Sequence, residues 1–170
     1  AEVMLDAGIT DILIAYPIVG PIKTARLARL AEQARITVSL DSEEVARGLS
    51  EAAASQGTTI GILIEMDVGF ERCGFSTEAD LLALGRKIAE LPGLEFRGLM
   101  FFPGQFTVAP EERAAMRIQV NDFLKRTLAT FSDAGLPVSI VSGGSTPTAY
   151  EGGFFHGVNE VRPGTYIFND

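Results

Sequence analysis

Three short clusters hold the residue types that could do chemistry. The first is Ser142-Gly143-Gly144-Ser145-Thr146-Pro147, which follows directly on the β-branched run Val138-Ser139-Ile140-Val141. A glycine pair leaves backbone N–H groups free to face an anion. Two hydroxyls and the start of a helix beside them complete a small phosphate cup. An ordinary strand-to-helix turn uses the same residues for conformational reasons alone, so this stretch by itself leaves both readings open.

The second cluster, Asp67-Val68-Gly69-Phe70-Glu71-Arg72-Cys73-Gly74-Phe75, combines acids, two glycines and an arginine in a sharply turning loop. Taken alone, Arg72 pairs most simply with Asp67 or Glu71, at little energetic gain. The third is Arg162-Pro163-Gly164-Thr165-Tyr166. Pro163 fixes its own φ and restricts Arg162, while Gly164 lets backbone approach a ligand closely. An arginine buried in a strand must meet an acid or a ligand's acceptor.

The elements that position these clusters are legible in the hydrophobic pattern. Strands are expected over 11–17, 36–40, 60–66, 94–102, 138–141 and 160–168. Helices are expected over 21–33 with Ile22, Leu27 and Leu30 inward, and from Asp41-Ser42-Glu43-Glu44 with Val45, Leu49 and Ala52 inward. A further helix is capped by Thr77 and carries Leu81, Leu84, Ile88 and Leu91. The longest spans 111–131, with Met116, Val120, Phe123, Thr127 and Phe131 in step. Strands separated by such helices make right-handed βαβ units and a parallel sheet. Near-continuous apolar runs agree, because parallel strands are covered on both faces. No G-x-G-x-x-G follows any strand, and chemically interesting residues follow nearly every one. Both features favour part of a (β/α)8 barrel over a doubly wound sheet.

Composition bounds the function. The 170 residues are 46% hydrophobic and carry a formal net charge of −8. That suits one globular domain and argues against non-specific binding to nucleic acid or anionic membrane. One cysteine, Cys73, excludes an internal disulfide framework and fits a reducing, cytoplasmic compartment. One histidine, His156, and no Cys/His cluster argue against a zinc site built by this chain alone. No run is long enough to span a membrane. Ala1–Ala7 reads as the last turns of a helix closed by Gly8, and Asp170 directly follows the strand-like TYIF, so a piece of a longer protein is expected.

In a barrel, a phosphate site is expected at strands seven and eight, which the fifth and sixth strands here would be if the first two strands are missing. With Asp67-x-Gly69-x-x-Arg72-x-Gly74, Ser142-Gly143-Gly144-Ser145-Thr146-Pro147-Thr148 and Glu160-x-Arg162-Pro163-Gly164-x-Tyr166-x-Phe168 in order, the whole chain resembles the alanine-racemase-like barrel of fold type III pyridoxal-phosphate enzymes. Within that family GSTPT, RPGTYIF and the opening Asp11-Ile12-Leu13-Ile14-Ala15-Tyr16-Pro17 are similar to the D-threonine aldolase and D-serine dehydratase branch.

The resemblance implies an α/β fold, a partial (β/α)8 TIM-type barrel made of strands three to eight, with residues 1–170 part of one pyridoxal-phosphate-binding barrel domain. It implies that Arg72 sits by the cofactor's phenolic oxygen through a charge-assisted hydrogen bond. Gly144, Ser145 and Thr146 would hold the phosphate, and Gly164 and Thr165 would add backbone N–H groups. Arg162 would face the pyridine nitrogen and keep it unprotonated. Tyr166 and Tyr16 are neighbouring candidates, Tyr16 reading more simply as a core aromatic.

The resemblance places the family's Schiff-base lysine at the end of the first barrel strand, which this sequence does not contain. Lys23, Lys87 and Lys125 fall in helix patterns and read as solvated faces. The resemblance implies that the metal ligands belong to a C-terminal β-domain absent from this sequence, so a divalent metal is expected as a possibility of the intact parent only. Where the branch often has Gly-His, the chain has Phe102-Pro103-Gly104-Gln105, and an amide does not titrate. His156 reads as a loop histidine and Cys73 as structural.

The implied activity is that of a pyridoxal-phosphate-dependent lyase, an aldolase or dehydratase acting on a D-amino acid. The intact parent is expected to be a homodimer, and the fragment alone inactive. An amino-acid racemase of the same fold, a non-catalytic pyridoxal-phosphate-binding protein and an unrelated sugar-phosphate barrel are the alternatives.

Overall fold

A computed structural model describes residues 1–108, 110–149, 155–165 and 168. Its elements run α1 (Glu2–Asp6), β1 (Asp11–Ile14), α2 (Pro21–Leu30), β2 (Arg35–Leu40), α3 (Glu43–Gln56), β3 (Ile60–Met66), α4 (Glu78–Glu90), β4 (Leu94–Phe101), a 3-10 turn (Gly104–Thr107), α5 (Pro110–Asp133) and β5 (Ile140–Gly143). The strands follow chain order in the sheet, β1-β2-β3-β4-β5. The pairings of β1 with β2, β2 with β3 and β4 with β5 are parallel, as the alternation of strands and helices requires. By compactness the chain divides into two units, residues 1–64 with 83–97, and 65–82 with 98–170.

In the first unit the helix signals act as written. Ser42 Oγ accepts the Val45 N–H at 3.2 Å, and α3 closes on Gly57 at φ 67°. Ile36, Val38, Leu49, Ile62 and Ile88 are fully buried. Two helix faces are rotated from the sequence expectation. On α2 the buried residues are Thr24, Leu27 and Ala28, while Ile22 is 78% exposed. On α3 they are Ala46, Leu49, Ser50 and Ala53. Val45 and Ala52 are half-buried and line an open cleft of about 890 Å³ against Pro21, Thr24 and Ala25 of α2. Small residues at 46, 50 and 53 let that face of α3 lie close to its neighbours, which moves the seam by one residue. β1 ends at Ile14, and Tyr16 is 69% exposed, so it is no core aromatic.

A buried arginine belongs to this unit. Arg97 Nη1 donates to Thr37 Oγ1 at 2.7 Å and to the Ile36 carbonyl at 3.2 Å, and its Nη2 lies 2.7 Å from Glu95 Oε2. The side chain crosses directly over Gly61, where a Cβ would come within 2.3 Å of Arg97 Cζ. Only a residue without a side chain fits there.

The second unit has an aromatic core. Phe101, Phe106 and Phe131 are fully buried, and Phe155 meets Phe101 and Phe106 edge-on with centroids 5.5 Å apart. Thr77 caps α4 as expected, its Oγ1 accepting the Asp80 N–H. Val120, Phe123, Leu124, Thr127 and Phe131 form the buried face of α5. β5 begins at Ile140 rather than Val138, because pairing with β4 starts only at Gly98↔Ile140.

Among the described residues the expected sixth strand is reduced to one bridge, Ser142↔Glu160. Two features stop the ladder. Pro163 has no N–H to give, and the N–H groups of Gly164 and Thr165 are turned to Thr146 Oγ1 instead.

Candidate functional site

Arg72, Gly144, Ser145, Thr146, Arg162, Gly164 and Thr165 lie in the second unit, and Tyr16 in the first. The loop leaving β3 is organised by Asp67, whose Oδ1 accepts the N–H groups of Gly69, Phe70 and Glu71 at 2.9 to 3.0 Å. The loop folds back through Asp67 N–H to the Phe75 carbonyl and Phe75 N–H to the Glu65 carbonyl. Gly74 makes that return possible. Its φ is 95°, and a Cβ would lie 2.7 Å from the Met66 carbonyl carbon.

Arg72 pairs with neither Asp67 nor Glu71. Asp67 is committed to the loop backbone, and Arg72 Nη2 lies 4.0 Å from Glu65 Oε1. Its guanidinium sits 4.7 Å from the centroid of Phe102 and 5.4 Å from that of Phe70, and the two rings meet edge-on. Glu65, at the carboxyl end of β3, is 5% exposed. Its Oε1 also accepts from Cys73 Sγ at 3.0 Å. Burial first, then this bond, push the Cys73 thiol above its ordinary range, with Arg72 pulling the other way. The structural reading of Cys73 agrees with that environment.

The segment carrying Arg162 is zipped along β5. Asn159 Oδ1 accepts the Val141 N–H at 2.9 Å, Asn159 Nδ2 donates to the Ser139 carbonyl at 2.9 Å, and Gly143 N–H donates to the Glu160 carbonyl at 2.9 Å. The buried Ser142 hydroxyl links both charges of this segment, accepting from Arg162 Nη1 and donating to Glu160 Oε1. Arg162 Nη2 donates to the Phe101 carbonyl at 2.7 Å. Burial lowers the proton affinity of Arg162, while Glu160 and Glu65 act to raise it.

The glycine-rich stretch meets this segment through Thr146. Residues 146–149 form a 3-10 turn. Thr146 Oγ1 accepts the Gly164 N–H at 2.9 Å and the Thr165 N–H at 3.0 Å. The Ser145 N–H goes to Thr148 Oγ1 at 2.9 Å, and the two hydroxyl oxygens lie 3.3 Å apart. Gly144, at φ 112°, and Ser145 are buried; Gly164 and Thr165 are exposed, with nothing within 4 Å of where a Gly164 Cβ would stand.

Thr146, Gly164 and Thr165, read from the sequence as candidates for one anion site, meet at one turn, while Arg72 lies beside Glu65 and Arg162 on Ser142 and the Phe101 carbonyl. Tyr166 lies outside the described residues. Sequence reasoning missed Glu65, a single acid inside an otherwise apolar strand, and that isolation was the available signal. It also missed Ser142 and Thr148, whose roles appear only once the turn is folded.

Gln105 is tied to the β3 loop, its Nε2 donating to the Val68 carbonyl at 2.6 Å. Lys23, Lys87 and Lys125 are exposed on helices, as expected. His156 is exposed, with its backbone N–H bound to Asn121 Oδ1. Among the described residues no group of three or more His, Cys, Asp or Glu is arranged to hold a metal, and no helix is long and apolar enough to cross a membrane.

A sequence profile of the family described as "Alanine racemase, N-terminal domain" matches residues 3–170. The chain is 35% identical over 166 residues to a D-threonine aldolase of Arthrobacter sp, a match covering 96% of the chain and 44% of that protein. It is 33% identical over 173 residues to a 3-hydroxy-D-aspartate aldolase of Paracoccus denitrificans, covering the whole chain and 45% of the relative. The crystal structure of D-threonine aldolase from Filomicrobium marinum superposes with a TM-score of 0.92 at 38% identity, over 97% of this chain and 45% of that one. The chain thus spans about half the length of these relatives, and its fold is the expected part of a (β/α)8 TIM-type barrel.

Proposed function

The chain belongs to the alanine racemase N-terminal domain family, and on that footing we propose that it forms the cofactor-holding part of a pyridoxal-phosphate-dependent lyase acting on a D-3-hydroxy amino acid. The observation that carries this reading is the convergence of Gly164 and Thr165 N–H groups on the Thr146 hydroxyl, beside the buried Ser145. Both N–H groups donate to Thr146 Oγ1 in this structure; turned from it to a bound phosphate monoester they would, with the two hydroxyls, make up its donor set. The open space on the Cβ side of Gly164 gives such a group room.

The residues take the following roles. The Thr146 and Ser145 hydroxyls, with the Gly164 and Thr165 N–H groups behind Thr146, bind the phosphate. Arg72, held between aromatic rings and Glu65, would present guanidinium donors to the phenolic oxygen and steady it as an anion. Arg162, fixed by Ser142 and the Phe101 carbonyl, would hold the pyridine-nitrogen side of the cofactor. Its positive charge, kept by Glu160 and Glu65 against the pull of burial, disfavours a proton on that nitrogen. Gly144 and the Thr148-bound Ser145 N–H shape the turn that carries the hydroxyls. Tyr166 follows directly on this segment and stays a candidate for the same site. When bound, pyridoxal phosphate supplies an electron sink for the bond broken at the amino acid's α carbon.

The intact protein, which we expect to be a homodimer working in the cytoplasm, is the form to test. Incubated with pyridoxal phosphate, a divalent cation and either enantiomer of threonine or 3-hydroxyaspartate, it should release glycine and an aldehyde, or a 2-oxo acid and ammonia, from the D-enantiomer. Interconversion of alanine enantiomers instead would make it a racemase. Cofactor binding without turnover of any of these amino acids would make it a carrier.

A further inference from the structure

We propose that Glu65 is a positioning residue of the cofactor site, the fixed counter-charge that aims Arg72 and keeps the Cys73 S–H turned inward as a hydrogen-bond donor. The proposal rests on the pyridoxal-phosphate reading above for what Arg72 is aimed at. An acid this deeply buried, 5% exposed within an otherwise apolar strand, is costly unless its partners repay the lost hydration. Its partners are Arg72 Nη2 at 4.0 Å and Cys73 Sγ at 3.0 Å, both on Glu65 Oε1.

Arg72 is otherwise 55% exposed, on a loop that carries two glycines at positive φ. Phe70 and Phe102 restrict its plane, since ring faces attract the guanidinium. Rings alone leave it free to slide; the carboxylate at one end fixes where along them it stops. Only one terminal nitrogen is near Glu65; Cys73 is the other polar side chain acting on the guanidinium, and the remaining donors of the five-donor fork are left for an anionic oxygen.

Cys73 reports on this arrangement without any cofactor. The charged groups around it are Glu65 from β3, Arg72 and Asp67 from its own loop, and, through Glu65, Arg162 from the segment beside β5. Glu65 opposes thiolate formation, while Arg72 favours it. Removing either charge must therefore move the thiol in opposite directions. A loosened loop would move both variants the same way.

The test uses the intact, cofactor-free protein. The pH dependence of its reaction with a disulfide reagent such as DTNB is followed, with Cys73→Ser subtracted as the blank. Glu65→Gln should lower the midpoint and speed the reaction at neutral pH about fivefold. Arg72→Gln should raise the midpoint and slow the reaction. Glu65→Asp, which keeps the charge and shortens the reach, should fall between wild type and Glu65→Gln; it serves alone should the glutamine variant not fold. A second arm measures pyridoxal phosphate uptake, where Glu65→Gln should weaken retention about tenfold and Glu65→Asp regain part of it.

Midpoints that move together in Glu65→Gln and Arg72→Gln overturn the proposal. So does a Glu65→Gln protein that matches wild type in both arms while wild type binds the cofactor. Wild type that takes up no cofactor overturns the pyridoxal-phosphate reading itself, and the role of Glu65 in it, whatever the thiol shows.

Discussion

The Thr146 hydroxyl oxygen accepts the backbone N–H of Gly164 at 2.9 Å, eighteen positions along the chain, and that of Thr165 at 3.0 Å. One side-chain oxygen thus joins the turn after β5 to the segment that carries Arg162. With two N–H groups pointing at it, the oxygen's own proton is left to donate elsewhere, which suits an anion held at this turn.

Thr146→Val removes the acceptor and keeps the shape. Two N–H groups lose their partner; because both residues are exposed, water takes its place at little cost in stability, and the loss is read in binding. Pyridoxal phosphate affinity of the intact protein should fall about tenfold or more, read by titrating the bound cofactor's absorption. Thr146→Ser should restore most of it. Equal affinity in Thr146→Val and wild type would remove the hydroxyl from the site.

Ser142→Ala separates Arg162 from Glu160. The hydroxyl both accepts from the arginine and donates to the carboxylate, and no water-filled route replaces it at a fully buried position. The variant should lose about 1–3 kcal/mol of stability, measured as a lower urea midpoint with unchanged slope.

Arg97 and Gly61 should behave as one unit in a double-mutant cycle. Gly61→Ala drives a methyl into the guanidinium and should destabilise by roughly 1–3 kcal/mol. In an Arg97→Ala background the same change should cost much less, because the obstructing atoms are gone. Additive effects in urea unfolding would show that the clash is relieved elsewhere.

Glu78 makes part of the stability pH-dependent. Its own backbone N–H at the start of α4, and then Arg126 Nε at 2.6 Å, hold its carboxyl below the ordinary value of 4.5. A carboxyl depressed in the folded state contributes stability that is present above about pH 4.5 and lost as pH falls through its lower folded value. Glu78→Gln should therefore lower the urea midpoint at pH 7 and flatten its decline in acid. A parallel decline in both proteins would assign the acid sensitivity to other carboxylates.

Much of this architecture was legible in the sequence because the periodicity and caps are local. β3 matches its expected bounds, and Ser42 and Thr77 cap the helices they precede. The clusters at the strand ends were legible for a related reason: Gly74, Gly144 and Pro163 declare backbone geometry in their own residue types. What stayed hidden depends on partners distant in the chain. Nothing near Arg72 in sequence announces that Asp67 is spent on backbone N–H groups, leaving Glu65 as its counter-charge. Among the described residues the sixth strand stops at one bridge because a hydroxyl at position 146 captures the N–H groups of Gly164 and Thr165 that a ladder would need. Likewise Ile22 looked inward by spacing, yet the small residues Thr24 and Ala28 set the buried side of α2.

The structure of the intact protein grown with pyridoxal phosphate tests the central claim most directly. The account predicts the phosphate within hydrogen-bond distance of the Ser145 or Thr146 hydroxyl and of the Gly164 or Thr165 N–H at once, with Arg72 on the phenolic oxygen. A phosphate bound away from both segments, or gripped by only one of them, would contradict it.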